Sequence, residues 1–483
     1  MTSPSSRSRS SLTAPFHIAT GSTREPAAAT RRLLLVSYAF PPDSSIGALR
    51  WEKLVGYAAR RGWQVDVIMM DPDAADLRDD SRLAGLPAGT RLWGVARHLP
   101  SIRVAERWLL QRLKRFRAPA PPGVHVSATA APAWTGPIVE PGVKGRLRAA
   151  RRGYLARMHY LEWSNWARDA AALGVALHNE RSYDLVASSG PPQMAHDAAR
   201  RIAARTGIPF VMDLRDQFFY EDTQPPELRS YTWRNLTRRY ETRCVDAAAL
   251  VVMNTAAMEV IMHHRYPHHA GKIMTAMNGA DPDVHSAHPP VAPFTITHAG
   301  SLYNGRDPRP LFRGCRRALD LLPDVGPDRF RVCFLGGDVY EGTPVAEIAA
   351  QEGVAPYVIA EKFRPRAEAI RLQEESAVLV VLPQFQEECI PGKVFEYVQL
   401  SSWVLALTDP GTAIDLTLRD TEADVVPPSD ADEVGRRIAA RFRAFEGGVR
   451  PSPVNVDGRF DREAQARILF DAIDDRVLSP RSR

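Results

Sequence analysis

Residues 377–400, AVLVVLPQFQEECIPGKVFEYVQL, hold a strand, a turn and a helix start, with one lysine and paired carboxylates set among them. The apolar run 377–382 reads as a buried parallel strand, since it lacks the polar alternation of a half-exposed one. Pro391 and Gly392 then open a helix predicted over 393–400. A strand feeding a helix puts the helix start at the carboxyl edge of a sheet, where open α/β sheets bind ligands. Free amides there favour an anion such as a diphosphate, and Lys393 adds a full charge. Glu388 and Glu396, eight positions apart, supply carboxylates that accept hydrogen bonds from neutral sugar hydroxyls. The stretch predicts a crevice for a sugar nucleotide; the plainer alternative is a solvated helix start with scattered charge.

The alternation continues outward. LLLVSYAF from Leu33, a helix over 50–60 and the strand in RGWQVDVIMM form a βαβ opening. It resumes with DLVASSG, a helix over 196–205, IPFVMDL, a helix ending near Cys244, and AALVVMN. The second half repeats the scheme with FTITHAG, a helix over 311–322, FRVCFLGG, a helix over 345–351, YVIAE, AVLVVLP and WVLALTD. The fold class is therefore α/β, with two Rossmann-like domains over 31–285 and 286–450, and 483 residues suit two cores. The boundary falls near 284–293, where HSAHPPVAP breaks the pattern. Residues 451–483 are expected to give a helix packing back on the first domain, then a tail. Residues 1–30, rich in Ser, Thr, Arg, Pro and Ala, read as a disordered tail.

Between about 91 and 169 the regularity fails, and an insertion is expected. It carries Arg103, Arg107, Arg112, Lys114, Arg115 and Arg117, a Pro-rich piece, then Lys144, Arg146, Arg148, Arg151 and Arg152. Ala105, Leu109, Leu113 and Phe116 share one helical face, so this region is either a basic amphipathic helix at an anionic bilayer or a solvated basic cover.

Composition excludes several classes. Apolar residues make up 45% and charged ones 24%, with a net charge of +6, as in an ordinary globular protein. No apolar run reaches a membrane span and no apolar signal core opens the chain, so a cytoplasmic protein is expected, with peripheral contact at the inner membrane face as the variant. Nucleic acid is not expected, for no interleaved aromatics, helix-turn-helix pattern or zinc module is present. Cys244, Cys315, Cys333 and Cys389 lack CxxC spacing and read as core thiols. The cluster His263, His264, His268 and His269 reads as a helix-end loop rather than a metal site. Just after strands lie Arg215 and Asp216, read as acceptor-side groups or a structural ion pair, and Gly300 and Ser301, followed by Arg306 and Arg309. Arginine clamps phosphate with two parallel hydrogen bonds, so Arg306 with Lys393 is the expected pyrophosphate pair and Arg309 the substitute.

Five segments in order resemble the bacterial retaining GT-B glycosyltransferases (family 4-like): LLLVSYAFPPDSSIGALR, SSGPPQMAH with MDLRD, NGAD, HAGSLYNGRDPRP, and PGKVFEY after Glu388. Their closest likeness is to a branch with SGPP, GxLYxGRDP and PGKxFEY motifs. The resemblance implies transfer of a sugar, hexosyl or related, from a nucleoside diphosphate to a saccharide, lipid-linked or small-molecule acceptor, with retention, in polysaccharide biosynthesis. It implies that Gly47 lets the first loop approach the donor phosphates, unless it is a plain turn glycine. It also implies that His196 contacts a sugar hydroxyl or stabilises charge, unless it packs a helix; that Glu388 faces the transferred sugar; and that Glu396 binds ribose. Asn278 and Gly279 would shape the interdomain hinge. Fixed cations stabilise charge growing on the leaving diphosphate, so no metal or other cofactor is expected, and Asp281-Pro-Asp283 is not read as a metal motif. The rivals are a sugar-nucleotide epimerase on the same fold and a non-catalytic sugar-nucleotide-binding relative.

Overall fold

A computed structural model describes residues 15–20, 31–75, 77–100, 102, 142–216, 228–281, 290–303 and 305–479. The first sheet contains β1 (His17–Ile18), β2 (Arg31–Ser37), β3 (Trp63–Met70), β4 (Arg91–Val95), β5 (Leu185–Gly190), β6 (Phe210–Leu214), β7 (Leu250–Met253) and β8 (Ile273–Thr275). Its order is β1-β4-β3-β2-β5-β6-β7-β8, parallel except for β1. The second domain adds β9 (Phe294–Ala299), β10 (Phe330–Leu335), the hairpin β11 (Val339–Tyr340) and β12 (Thr343–Pro344), β13 (Val358–Glu361), β14 (Val378–Val381), β15 (Trp403–Leu407) and β16 (Asp424–Val426). Its main sheet, β13-β10-β9-β14-β15-β16, is parallel throughout.

Period-two geometry explains the continuous apolar strands. In β2, Leu33 and Leu35 join Trp51, Val55 and Leu469 on one side of the sheet, while Leu34 and Val36 join Trp166, Ala198 and Met212 on the other. Helices cover both faces. In each sheet the winding direction reverses once, between β2 and β5 and between β9 and β14. Those two reversals open the crevices in which α/β sheets bind ligands.

Three sequence expectations change here. Within the expected disordered tail, His17–Ile18 pairs with Leu92 and Arg91 at the edge of the sheet, where backbone pairing orders a segment with little apolar content. Residues 1–14 and 21–30 lie outside the described residues. Within the expected insertion, β4 and a 39-residue helix, Gly142–Glu180, are regular structure. Lys144, Arg146, Arg148 and Arg151 lie on its exposed first turns, while Trp166, Ala167, Ala170, Ala171 and Gly174 are buried farther along. A Cβ on Gly174 would fall 2.3 Å from Ile202 Cδ1, so the small residues let this helix lie close against the helix Met194–Thr206. The basic set Arg103, Arg107, Arg112, Lys114, Arg115 and Arg117, with its apolar face, lies outside the described residues. Third, the helix after Pro391 spans only Gly392–Tyr397, and the first-domain helix Ile46–Arg60 starts earlier than predicted.

The C-terminal helix Arg462–Ile473 buries Ala466, Leu469, Phe470 and Ile473 in the core of the first sheet. It reaches there through a crossing at which Arg462 N donates to Ala280 O (2.7 Å) and Ala280 N donates to Phe460 O (2.8 Å). Asp281 pairs there with Arg462 at 2.7 Å and Lys53 at 3.4 Å. Asp283 and most of the predicted boundary, residues 282–289, are outside the described residues. No helix among the described residues is long and apolar enough to cross a membrane.

Candidate functional site

The carboxyl ends of the two sheets face each other across a cleft of about 550 Å³. One wall comes from the second domain. After β9 the chain turns at Gly300, with φ +117°, where an added Cβ would lie 2.9 Å from Lys393 Nζ. The positive φ and the close lysine both require glycine. Ala299 N donates to the buried Tyr397 hydroxyl at 2.9 Å, which locks the end of β9 to the helix carrying Lys393 and Glu396.

Lys393 Nζ sits 3.1 Å from His298 Nε2, and His298 Nδ1 lies 3.1 Å from Val380 O. The carbonyl needs a donor, so Nδ1 carries the proton and Nε2 accepts from the lysine. Burial, with Lys393 alongside, holds the His298 pKa well below its usual range, so it is neutral. Burial and the Arg306 charge push the Lys393 pKa down to about 7, against a smaller opposing effect of Glu396. Arg306 is 8% exposed, lies over the Tyr303 ring at 4.3 Å, and donates a long 3.4 Å hydrogen bond to Ser301 O. Among the described residues neither cation makes an ion pair. The wall thus keeps two buried cations beside one another, an arrangement that an anion stabilises. Because the helix after Pro391 has only six residues, the positive field rests on these side chains rather than on a macrodipole.

The facing wall comes from the first domain. Asp213, fully buried in β6, accepts from Arg50 Nη2 (2.9 Å), Trp51 Nε1 (2.7 Å) and Ser189 Oγ (3.3 Å). Arg50 also reaches Ala276 O and Asn278 Oδ1, tying the helix start to the crossing. Arg215 donates to Gly47 O (2.6 Å) and to Pro191 O, and with Asp216 lines the cleft. Burial raises the Asp216 pKa; Arg215 and the Cys389 thiol, 3.9 Å away, oppose this, and Glu388 reinforces it. Asn254, at the end of β7, completes this wall, and Thr255 beside it donates to Glu388 O at 2.7 Å across the domain seam.

Of the predicted residues, Gly300, Ser301, Arg306, Lys393, Glu396, Arg215 and Asp216 line one cleft. Glu388 does not line the cleft, although its neighbour Cys389 does, and its backbone carbonyl accepts from Thr255. Gly47 lies behind Arg215, not on the cleft surface. Arg309 is a correction: it starts the helix Arg309–Asp320, pairs with Asp307 at 3.1 Å and does not line the cleft, so it is no substitute for Arg306. His196 is a second correction. It is 0% exposed, 2.7 Å from Ser188 Oγ, and directly beneath Gly190, where an added Cβ would strike its Nε2 at 2.4 Å. Burial pushes its pKa down to about 3, so a neutral ring supports the loop from below rather than meeting a substrate.

Arg50, Asp213, Asn254 and His298 were not singled out from the sequence. Asp213 and His298 did leave a signal, since a charged or titratable residue inside an apolar strand must find partners when buried. Asn254 left none. His269 pairs with Asp246 (2.9 Å) and His263 lies 3.7 Å from Glu259, so these histidines have separate partners. None of the four cysteines is in a disulfide.

No family model matches the chain, and no curated protein matches it in sequence. Solved structures match over nearly its whole length. A glycosyltransferase from Rickettsia africae ESF-5 shares 12% identity, with 93% of this chain and 99% of that one covered and a TM-score of 0.53. A structure described as trehalose-6-phosphate from E. coli bound with UDP-2-fluoro glucose shares 13%, covering 92% and 99%, also at 0.53. The lipopolysaccharide outer core galactosyltransferase WaaB, in its apo form, shares 12%, covering 92% and 99%, at 0.52. The chain therefore has the GT-B fold, and these neighbours are glycosyltransferases or related proteins of that architecture.

Proposed function

We propose that this protein transfers a glycosyl group from a nucleoside-diphosphate sugar, held by the second domain, to a hydroxyl of an acceptor held by the first. The carrying observation is the buried pair Arg306 and Lys393, which lacks an ion pair among the described residues and faces the cleft beside Gly300. Leaving-group departure builds charge on the diphosphate. Preformed cations in a water-poor crevice stabilise that charge more than the ground state, which lowers the barrier without a metal. Glu396 suits the ribose hydroxyls, Glu388 the transferred sugar, and retention follows the resemblance. That a GT-B neighbour holds UDP-2-fluoro glucose supports the donor class.

The test combines a panel of nucleotide sugars, read by the rise in melting temperature, with product analysis by NMR. A glycoside with the donor's anomeric configuration is expected, and an epimerised nucleotide sugar would replace this reading with the epimerase. Arg306→Ala should weaken donor binding by about 2–4 kcal/mol. Unchanged affinity would remove the argument.

A further inference from the structure

The first half of the long helix Gly142–Glu180 is apolar on two opposite sides, one packed and one open to water. On the packed side, Gly153 lies so close to the helix Tyr231–Ala247 that an added Cβ would sit 2.9 Å from Thr232 Oγ1, and Trp163 meets Trp233 edge to face at 5.3 Å. On the other side stand Val143, Leu147, Tyr154 and Leu161. Their spacings of four, seven and seven residues bring all four to one side of a helix with about 3.6 residues per turn, in a row about 27 Å long. Val143 and Leu147 are 74% and 67% exposed, and Tyr154 and Leu161 are 36% and 38% exposed. An extended apolar row of this kind on a protein surface marks an interaction site.

The charge around the row identifies its partner. Over 142–161 the helix carries Lys144, Arg146, Arg148, Arg151, Arg152 and Arg157 and no carboxylate at all. An ordinary solvated helix mixes both signs, because carboxylates three or four residues from a cation stabilise it. The first acid along the helix, Glu162, is taken by Arg97 at 2.6 Å. Lys144, Arg146, Arg151 and Arg157 are exposed and make no ion pair among the described residues. Helical geometry sets Arg146 and Arg157 on one flank of the apolar row and Lys144 and Arg151 on the other. We propose that this face lies on an anionic lipid bilayer, with the aliphatic row entering the headgroup boundary and the flanking cations meeting lipid phosphates. A second copy of the chain would set the same cations against themselves, and nucleic acid would use the cations but leave Val143, Leu147 and Leu161 in water. The face is distinct from the one carried by Ala105, Leu109, Leu113 and Phe116, which lie outside the described residues. Nothing in the contact depends on what the cleft binds.

The full chain is sedimented with phosphatidylcholine vesicles, with and without about one third phosphatidylglycerol, at about 0.05 M and about 0.5 M salt. Binding to the anionic vesicles is expected at low salt, and it should be at least tenfold weaker at high salt or on phosphatidylcholine alone. Two variants divide the contact. Val143→Ser with Leu147→Ser and Leu161→Ser removes the apolar row; Lys144→Ser with Arg146→Ser, Arg151→Ser and Arg157→Ser removes the flanks. Each should weaken binding at least tenfold while the melting temperature stays within about 3 °C of the wild type, as exposed positions allow. Hydrogen exchange needs no variant: in the wild type it should slow over 143–161 when anionic vesicles are added. No binding to anionic vesicles, full binding by the apolar variant, or unchanged exchange over 143–161 would each overturn the proposal. A wild-type dimer that the apolar variant abolishes would give the face to a second copy instead, and duplex DNA bound more tightly than the vesicles would give it to nucleic acid.

Discussion

If the proposed diphosphate binds at Lys393, its binding is a proton-linked event. Its Nζ lies between the neutral His298 ring and the Arg306 charge, and its pKa sits at about 7, against an ordinary lysine value of about 10.4. A diphosphate in the cleft adds negative charge beside it and returns the pKa toward its ordinary value, so the ligand binds the protonated form. Apparent affinity is then full below pH 7 and falls about tenfold for each unit above it, or on the order of a hundredfold between pH 6 and pH 9. About 0.9 proton should be taken up per ligand at pH 8 and about 0.1 at pH 6. The assay is isothermal titration with a nucleotide sugar, whose diphosphate does not titrate in this range, in buffers of different ionisation enthalpy. Lys393→Arg, which stays charged, should flatten the slope, and Lys393→Met should bind weakly at every pH. The empty protein follows the opposite linkage. A lysine depressed on folding is a penalty that is full below pH 7 and relieved as pH rises, because the unfolded chain binds more protons in between. Lys393→Met should therefore raise the melting temperature of the empty protein at pH 6. A wild-type affinity flat from pH 6 to 9, or an equal slope in Lys393→Arg, would refute the reasoning.

Other perturbations test the supports. Gly300→Ala places a methyl 2.9 Å from Lys393 Nζ in a backbone region that disfavours it, so nucleotide affinity should fall at least tenfold although no ligand contact is removed. Asp213→Asn leaves Arg50 buried without its counter-charge and should cost about 3–5 kcal/mol in urea unfolding. Thr255→Val loses both the cap to Met258 N and the bond to Glu388 O, and should cost about 1–2 kcal/mol, with Thr255→Ser restoring it. EDTA should leave transfer intact, and loss restored only by a divalent ion would reassign the charge over the diphosphate to a metal.

What was legible in the sequence follows from how local its causes are. The two-domain α/β architecture shows because each parallel strand is apolar on both faces, as in residues 33–36 and 378–381, a local pattern. Lys393 and Arg306 show because a strand-to-loop transition announces the carboxyl edge of a sheet. The helix Gly142–Glu180 was hidden because Ala167, Ala170, Ala171 and Gly174 pack by being small, and small residues leave a weak apolar period. The surroundings of His196 and Arg309 were hidden for a related reason: burial beneath Gly190 and pairing with Asp307 are long-range or rotamer-level facts.

The strongest functional evidence lies where the empty protein is less stable than it needs to be. Arg306 beside Lys393 costs free energy when the cleft is empty, and apolar residues of similar size at these positions would cost less. An anion in the cleft relieves that cost, whereas the facing wall, where Asp213 neutralises Arg50, asks for none. The asymmetry leaves one wall suited to negative charge and the other to neutral groups, which is the arrangement the proposed transfer needs.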